Sequence, residues 1–200
     1  MRYLILSMAA LIAVVFAAAL WLVPQYLQPS TPDRSTGKAL IGGDFSMVDH
    51  NGKPFTQDNL KGKYALVYFG FTHCPDICPT GLMIISNALK SLNGKAEKIQ
   101  PVFVSVDPER DTPDILAQYV QAFHPSFIGL TGSLEQVQQI ADAYKVYFSK
   151  VEDEDSALGY LVDHSGYIYL MDPKGEYLAH FPHNVAEQTL SAKLLQYISN

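Results

Sequence analysis

Tyr64-Ala65-Leu66-Val67-Tyr68-Phe69-Gly70-Phe71-Thr72-His73-Cys74-Pro75-Asp76-Ile77-Cys78-Pro79 joins a continuous apolar, β-rich run to a loop that holds both cysteines of this 200-residue chain. A run without polar alternation reads as a strand covered on both faces, central to a sheet. The cysteines follow at a strand-to-helix junction, four positions apart. Function is to be sought at that thiol pair.

Outward from this stretch, strand-like and helix-like runs alternate. Pro79 to Leu92 reads as a helix with Pro in its first turn and Asn93-Gly94 as its stop. Pro101 to Asp107 is a second buried strand, and Thr112-Pro113-Asp114 opens another helix, a capping residue followed by Pro. A strand near Phe127 to Leu130, a helix from Ser133 to Ala143 and a strand at Val146 to Ser149 continue the order. Tyr160 to His164 and Tyr167 to Met171 read as antiparallel neighbours joined by Ser165-Gly166. Pro173-Lys174-Gly175 then turns into a strand at Tyr177 to Phe181. A helix over Ala186 to Ile198 closes the chain. This order predicts an α/β, thioredoxin-like fold, a central mixed β-sheet flanked by helices; it is an analogy of fold, not yet a function.

Ahead of the domain, Tyr3 to Val23 carries no charge. At about 1.5 Å rise per residue it makes roughly 30 Å of helix, the thickness of a bilayer's hydrocarbon. Ala17-Ala18-Ala19 would suit a signal peptidase, but the apolar run continues through Leu20-Trp21-Leu22-Val23, beyond a short signal core. The expected organisation is an uncleaved N-terminal transmembrane helix over residues 1–26, a flexible Pro/Ser/Thr/Gly-rich linker over 27–39, and one domain over 40–200. Arg2 precedes the span and the first charge after it is Asp33, so the start stays in the cytoplasm. In a bacterium this is a single-pass inner (cytoplasmic) membrane protein with its C-terminal domain in the periplasm, where a nearby cysteine pair is free to oxidise. Of 14 basic and 20 acidic residues, setting Arg2 aside leaves 13 against 20, a charge of −7 on the exported part. No Lys/Arg cluster is present, which argues against nucleic acid as a partner.

Three segments together carry a resemblance: Phe69 to Pro79, Ser105-Val106-Asp107-Pro108-Glu109-Arg110-Asp111-Thr112, and Tyr160-Leu161-Val162-Asp163-His164-Ser165. In this order they resemble the SCO/SenC family of copper chaperones for cytochrome c oxidase assembly, from about Gly42 to Phe181. The resemblance implies a thioredoxin-like domain in which Cys74, Cys78 and His164 bind one copper ion. It also implies as partners the copper-bearing subunit of cytochrome c oxidase and an upstream copper donor. Met47, where the family often has Leu, Gly166 after the Val-Asp-His-Ser segment, and the acidic stretch Glu152 to Asp155 depart from the pattern without removing a ligand. The acidic stretch reads as a solvated loop.

The chemistry agrees. Cu(I) is soft and accepts few ligands, so two thiolates and an imidazole suit it, whereas structural Zn(II) wants a fourth protein ligand. Residues i and i+4 share a helical face, so Cys74 and Cys78 converge on one ion or on each other. The helix start should lower the thiol pKa. Oxidation to a disulfide removes both sulfurs, which ties copper loading to redox cycling of Cys74 and Cys78 and implies a thiol reductase partner.

Among six histidines, His164 reads from the residues alone as a turn histidine satisfied by a hydrogen bond; the resemblance selects it as a ligand. His73 adjoins Cys74 but points to the opposite face of an extended strand, and is structural or supports the ligands from behind. Asp163 and Asp107 are candidates to orient the site or neutralise Arg110, with helix capping or loop hydrogen bonding as the alternative. Asp76 offers an oxygen, which suits Cu(I) poorly. His50, His124, His180 and His183 read as surface or satisfied core residues, the last two as candidates for a docking surface. Five methionines form no cluster and read as core or membrane residues. A thiol-disulfide oxidoreductase is the main rival, although its usual motif is CxxC. A peroxidase lacks the Pro and Thr it would need before the cysteine, and a structural disulfide across so short a loop would add little stability.

Overall fold

The computed structural model describes residues 40–152 and 159–199. The expected anchor, the linker and residues 153–155 of the acidic stretch lie outside them. No helix among the described residues is long and apolar enough to cross a membrane.

Nine strands and four α-helices alternate along these residues: β1 (Ser46–Asp49), β2 (Pro54–Thr56), β3 (Tyr64–Gly70), α1 (Ile77–Ser91), β4 (Ile99–Ser105), α2 (Pro113–Gln121), β5 (Ile128–Thr131), α3 (Leu134–Tyr144), β6 (Phe148–Glu152), β7 (Tyr160–His164), β8 (Tyr167–Met171), β9 (Tyr177–Pro182) and α4 (Glu187–Ile198). Seven of the strands form one mixed sheet in the order β2-β1-β5-β4-β3-β8-β9. β3, β4 and β5 run parallel, while β1, β2, β8 and β9 pair antiparallel to their neighbours. β6 and β7 make a separate ribbon.

The apolar run of β3 explains the layering. Ala65, Val67 and Phe69 point to one face, where they meet Val137, Ile140, Ala141 and Tyr144 of α3. Leu66 and Tyr68 point to the other, onto Leu82, Ile85 and Leu89 of α1, Leu116 and Val120 of α2, and Leu190 and Leu194 of α4. Period-two alternation thus feeds two cores from one strand, as a fully buried strand requires. Local chemistry sets the ends: Ser133 caps α3 reciprocally with Gln136, and Thr112 caps α2 with Pro113 in its first turn.

Two expectations change. α1 starts at Ile77, two residues before Pro79, so Cys78 lies in its first turn and Cys74 in the loop ahead of it. β7 and β8 are not a hairpin: β7 pairs with β6, and β8 sits between β3 and β9. Burial is the reason. Ile168, Tyr169, Leu170 and Met171 are all buried, which needs a place inside the large sheet, whereas β7 alternates buried Val162 with exposed Asp163 and suits an outer ribbon. Ser165-Gly166 carries the chain from one sheet to the other. The turn at Asp172 to Gly175 does make a hairpin, with Gly175 at φ 84°.

Candidate metal centre

The cysteine loop leaves the C-terminal end of β3, where the Val106 N–H bonds the Gly70 carbonyl and ties it to the end of β4. The Cys74 N–H turns back to the Phe71 carbonyl at 3.3 Å, and the Tyr68 hydroxyl donates to the Ile77 carbonyl at 3.0 Å, fixing the start of α1. Gly70 is the floor of the site. A Cβ there would stand 2.6 Å from Cys78 Sγ and 2.9 Å from the Phe103 ring, so only glycine lets the sulfur settle onto the strand.

Against this loop comes the end of β7. His164 Nε2 lies 3.2 Å from Cys78 Sγ, and the Cys78 N–H points at Cys74 Sγ at 3.4 Å. The two sulfurs and an imidazole nitrogen lie within 4.8 Å of one another. His164 Nδ1 donates to the Ser165 carbonyl at 3.2 Å, which leaves Nε2 facing the sulfurs. Phe71 meets the imidazole in a T-shaped contact at 6.0 Å. Both cysteines are free; Cys78 is buried and Cys74 half-buried, so the set has one face toward solvent.

The thiols are not equivalent. Hydrogen bonding from Cys78, then from His164 and from backbone N–H groups, outweighs burial and holds the Cys74 thiol down at about 4. The same bond to Cys74, together with burial, pushes Cys78 far up. The expected lowering at the helix start therefore falls on one thiol. Cys78 keeps its proton to share with Cys74, and a cation entering the site displaces it. Two soft sulfurs and one nitrogen in a half-closed pocket fit a soft, low-coordinate ion better than one demanding oxygen ligands or a closed tetrahedron.

Around the ligand set the expected residues are placed as follows. Asp107 ion-pairs with Arg110 and accepts from the Tyr160 hydroxyl at 2.8 Å, so it grips β7 and does not touch the sulfurs. His73 Nδ1 lies 3.0 Å from Thr72 Oγ1. Asp163 is exposed, on the face of β7 opposite Val162, because neighbouring strand residues alternate; it orients neither sulfur nor imidazole. Met47 and Met171 are in the core, while Met83 is exposed on α1. His50 and His124 are satisfied at Gly129 and Ser126.

Sequence reasoning missed Asp111, Tyr160 and Gly70. Asp111 is fully buried and accepts from the Thr72 N–H at 3.0 Å, the Thr72 hydroxyl at 2.6 Å and the Ser105 hydroxyl at 2.6 Å, tying the cysteine loop to the loop after β4. Burial raises its pKa against those bonds. Its signal was legible: Asp107-Pro108-Glu109-Arg110-Asp111 crowds four charges directly behind a buried strand.

A model of the SCO1/SenC family matches residues 33–199. The chain belongs to the SCO1/SenC family. Among relatives, it is 47% identical over 167 residues to "Protein SCO2, mitochondrial" of Saccharomyces cerevisiae, covering 83% of this chain and 56% of that protein. It is 48% identical over 141 residues to the "SCO2-like protein" of Rickettsia felis, covering 70% of this chain and 69% of that one. The chain thus spans little more than half of the yeast relative's length. The crystal structure of Arabidopsis thaliana ScoI with copper bound is similar at a TM-score of 0.75 and 44% identity, covering 80% of this chain and 98% of that one. The thioredoxin-like architecture is therefore shared with SCO proteins of solved structure.

Proposed function

We propose that this protein is a membrane-anchored copper carrier that holds one copper ion through Cys74, Cys78 and His164 and assists assembly of the dinuclear copper site of cytochrome c oxidase. The observation that carries the reading is the meeting of two sulfurs and one imidazole nitrogen within 4.8 Å, from segments 86 residues apart, in a chain of the SCO1/SenC family. Similarity to a copper-bound ScoI supports the choice of metal. Residues 1–26 are the anchor, 27–39 the linker and 40–200 the copper domain, held on the periplasmic side; no charge interrupts Tyr3 to Val23. Its partners are the copper-bearing oxidase subunit, an upstream donor and a thiol reductase that keeps the pair able to bind.

The test is titration of the reduced protein with Cu(I) against a competing chelator. One copper per chain is expected, abolished by Cys78→Ala and weakened about tenfold or more by His164→Ala. Stoichiometric binding that ignores His164 would sink the proposed ligand set.

Thiol-disulfide exchange on a partner's cysteines is a second reading, favoured by the half-exposed Cys74 thiol held at about 4 beside a protonated Cys78, the arrangement of an attacking and a resolving sulfur. Turnover of disulfide substrates without dependence on His164 would select it.

A further inference from the structure

Four groups stack in a row from the ribbon to the metal centre: Tyr160, Arg110, Phe71 and His164. The Arg110 guanidinium carbon stands 3.6 Å from the centre of the Tyr160 ring on one side and 5.8 Å from that of Phe71 on the other. Phe71 in turn meets the imidazole at 6.0 Å, edge against face. Further contacts hold the outer end of the row. Lys150 Nζ lies 3.8 Å from the Tyr160 ring centre, so the ring has two cations on it. Arg110 Nη1 donates to the Tyr160 carbonyl at 3.1 Å, and the Tyr160 hydroxyl donates to Asp107, Arg110's ion-pair partner. Glu109 pairs with Lys150 at 3.1 Å.

Tyr160 and His164 are the two ends of β7. The loop that grips the first, Asp107 to Asp111, also grips the cysteine loop through the two hydrogen bonds from Thr72 to Asp111. One loop therefore holds both halves of the ligand set. Among the described residues, the imidazole has a single hydrogen bond of its own outside that set, to the Ser165 carbonyl.

We infer that Arg110, stacked between Tyr160 and Phe71, is a positioning residue for His164: it fixes where Nε2 stands relative to the sulfurs and so decides whether the site holds Cu(II) as well as Cu(I). This rests on the proposed ligand set and extends it to valence. Soft Cu(I) is held mainly by the two thiolates, so an imidazole shifted out of register but still present costs it little, whereas its removal costs about tenfold. Cu(II) is harder and needs the nitrogen. A planar guanidinium does what an ammonium does not: it stacks on two rings while its edge bonds a carboxylate and a carbonyl. Loss of groups that orient a metal-bound histidine costs about 10- to 100-fold in affinity, and here the loss falls on one valence.

The experiment compares Arg110→Lys, Tyr160→Leu and Tyr160→Phe in the full chain, reduced, with Val120→Ala as a control. Val120, on the buried side of α2, packs in the core on the far face of the sheet, away from these groups. Cu(II) and Cu(I) affinities are measured by chelator competition, nitrogen hyperfine by electron paramagnetic resonance, and folding by thermal melting. Arg110→Lys and Tyr160→Leu are expected to lose about 10- to 100-fold in Cu(II) affinity together with the nitrogen hyperfine, while Cu(I) affinity changes by no more than about threefold. Tyr160→Phe keeps the ring and is expected to lose less. Val120→Ala is expected to melt earlier with an unchanged spectrum. Arg110→Lys and Tyr160→Leu within about twofold of wild type for Cu(II) would overturn the inference, as would equal losses of both valences, or the same spectral change in Val120→Ala. If Tyr160→Leu does not fold, Arg110→Lys decides. Wild-type protein that takes up Cu(II) without nitrogen hyperfine would instead strike at the ligand set itself.

Discussion

Cys74 and Cys78 were written into the sequence as a pair, but their inequality belongs to the fold. Cys78 is buried over Gly70 and keeps its proton, while Cys74, half-buried, receives the hydrogen bond of the Cys78 N–H and shares the Cys78 proton. A lowered pKa means that Cys74 is a thiolate at every pH above about 4 and loses that form only as pH falls through that value. Alkylation of the reduced, metal-free protein is therefore expected to modify Cys74 first, at a rate flat from pH 6 to 8 within about twofold. An ordinary cysteine would gain nearly tenfold per pH unit over that interval, since its pKa is about 8.5. Peptide mapping of the labelled chain checks both rate and site. Asp163 shows the converse: beside His164 in sequence it looks like a neighbour of the metal, yet strand alternation turns it to solvent.

At the scale of elements, the strand-to-helix junction was readable because apolar run, cysteine loop and Pro79 follow in order. The start of α1 at Ile77 was not, because the hydroxyl that holds it, Tyr68, comes from inside β3. The junction is also held from outside by Asp111. Thr72→Val removes the hydroxyl bonded to the buried carboxylate at 2.6 Å and keeps the side-chain shape. Hydrogen bonds to charged groups contribute about 1.5–3 kcal/mol, so a loss of that size is expected in urea denaturation. The displaced loop should also weaken Cu(I) binding, whereas Ser133→Ala, which removes a helix cap far from the site, should cost about 1 kcal/mol and leave copper affinity unchanged. Ser165-Gly166 has the composition of a tight turn and points to a pairing of β7 with β8; burial of β8 on both faces, a property of the assembled sheet, instead places it between β3 and β9 and leaves β7 to β6.

For the molecule as a whole, a ligand that binds only the folded, reduced state adds stability by mass action. At free Cu(I) near 1,000 times the dissociation constant this amounts to about 4 kcal/mol, roughly 10 °C in melting temperature for a domain of this size. Scanning calorimetry should show that rise, its reversal on adding a copper chelator, and its absence once Cys74 and Cys78 are oxidised to a disulfide. The sequence alone determined the alternation of strands and helices, the thiol pair at the end of a buried strand, and, through three short segments in order, the family. These are local patterns, set by side-chain period, turn residues and spacing. Only the tertiary structure decided which groups meet: His164 against Cys78, Asp111 beneath the cysteine loop, Arg110 between two rings. Such contacts join segments as much as 86 residues apart, and their distances follow from how the sheet, the ribbon and the helices pack.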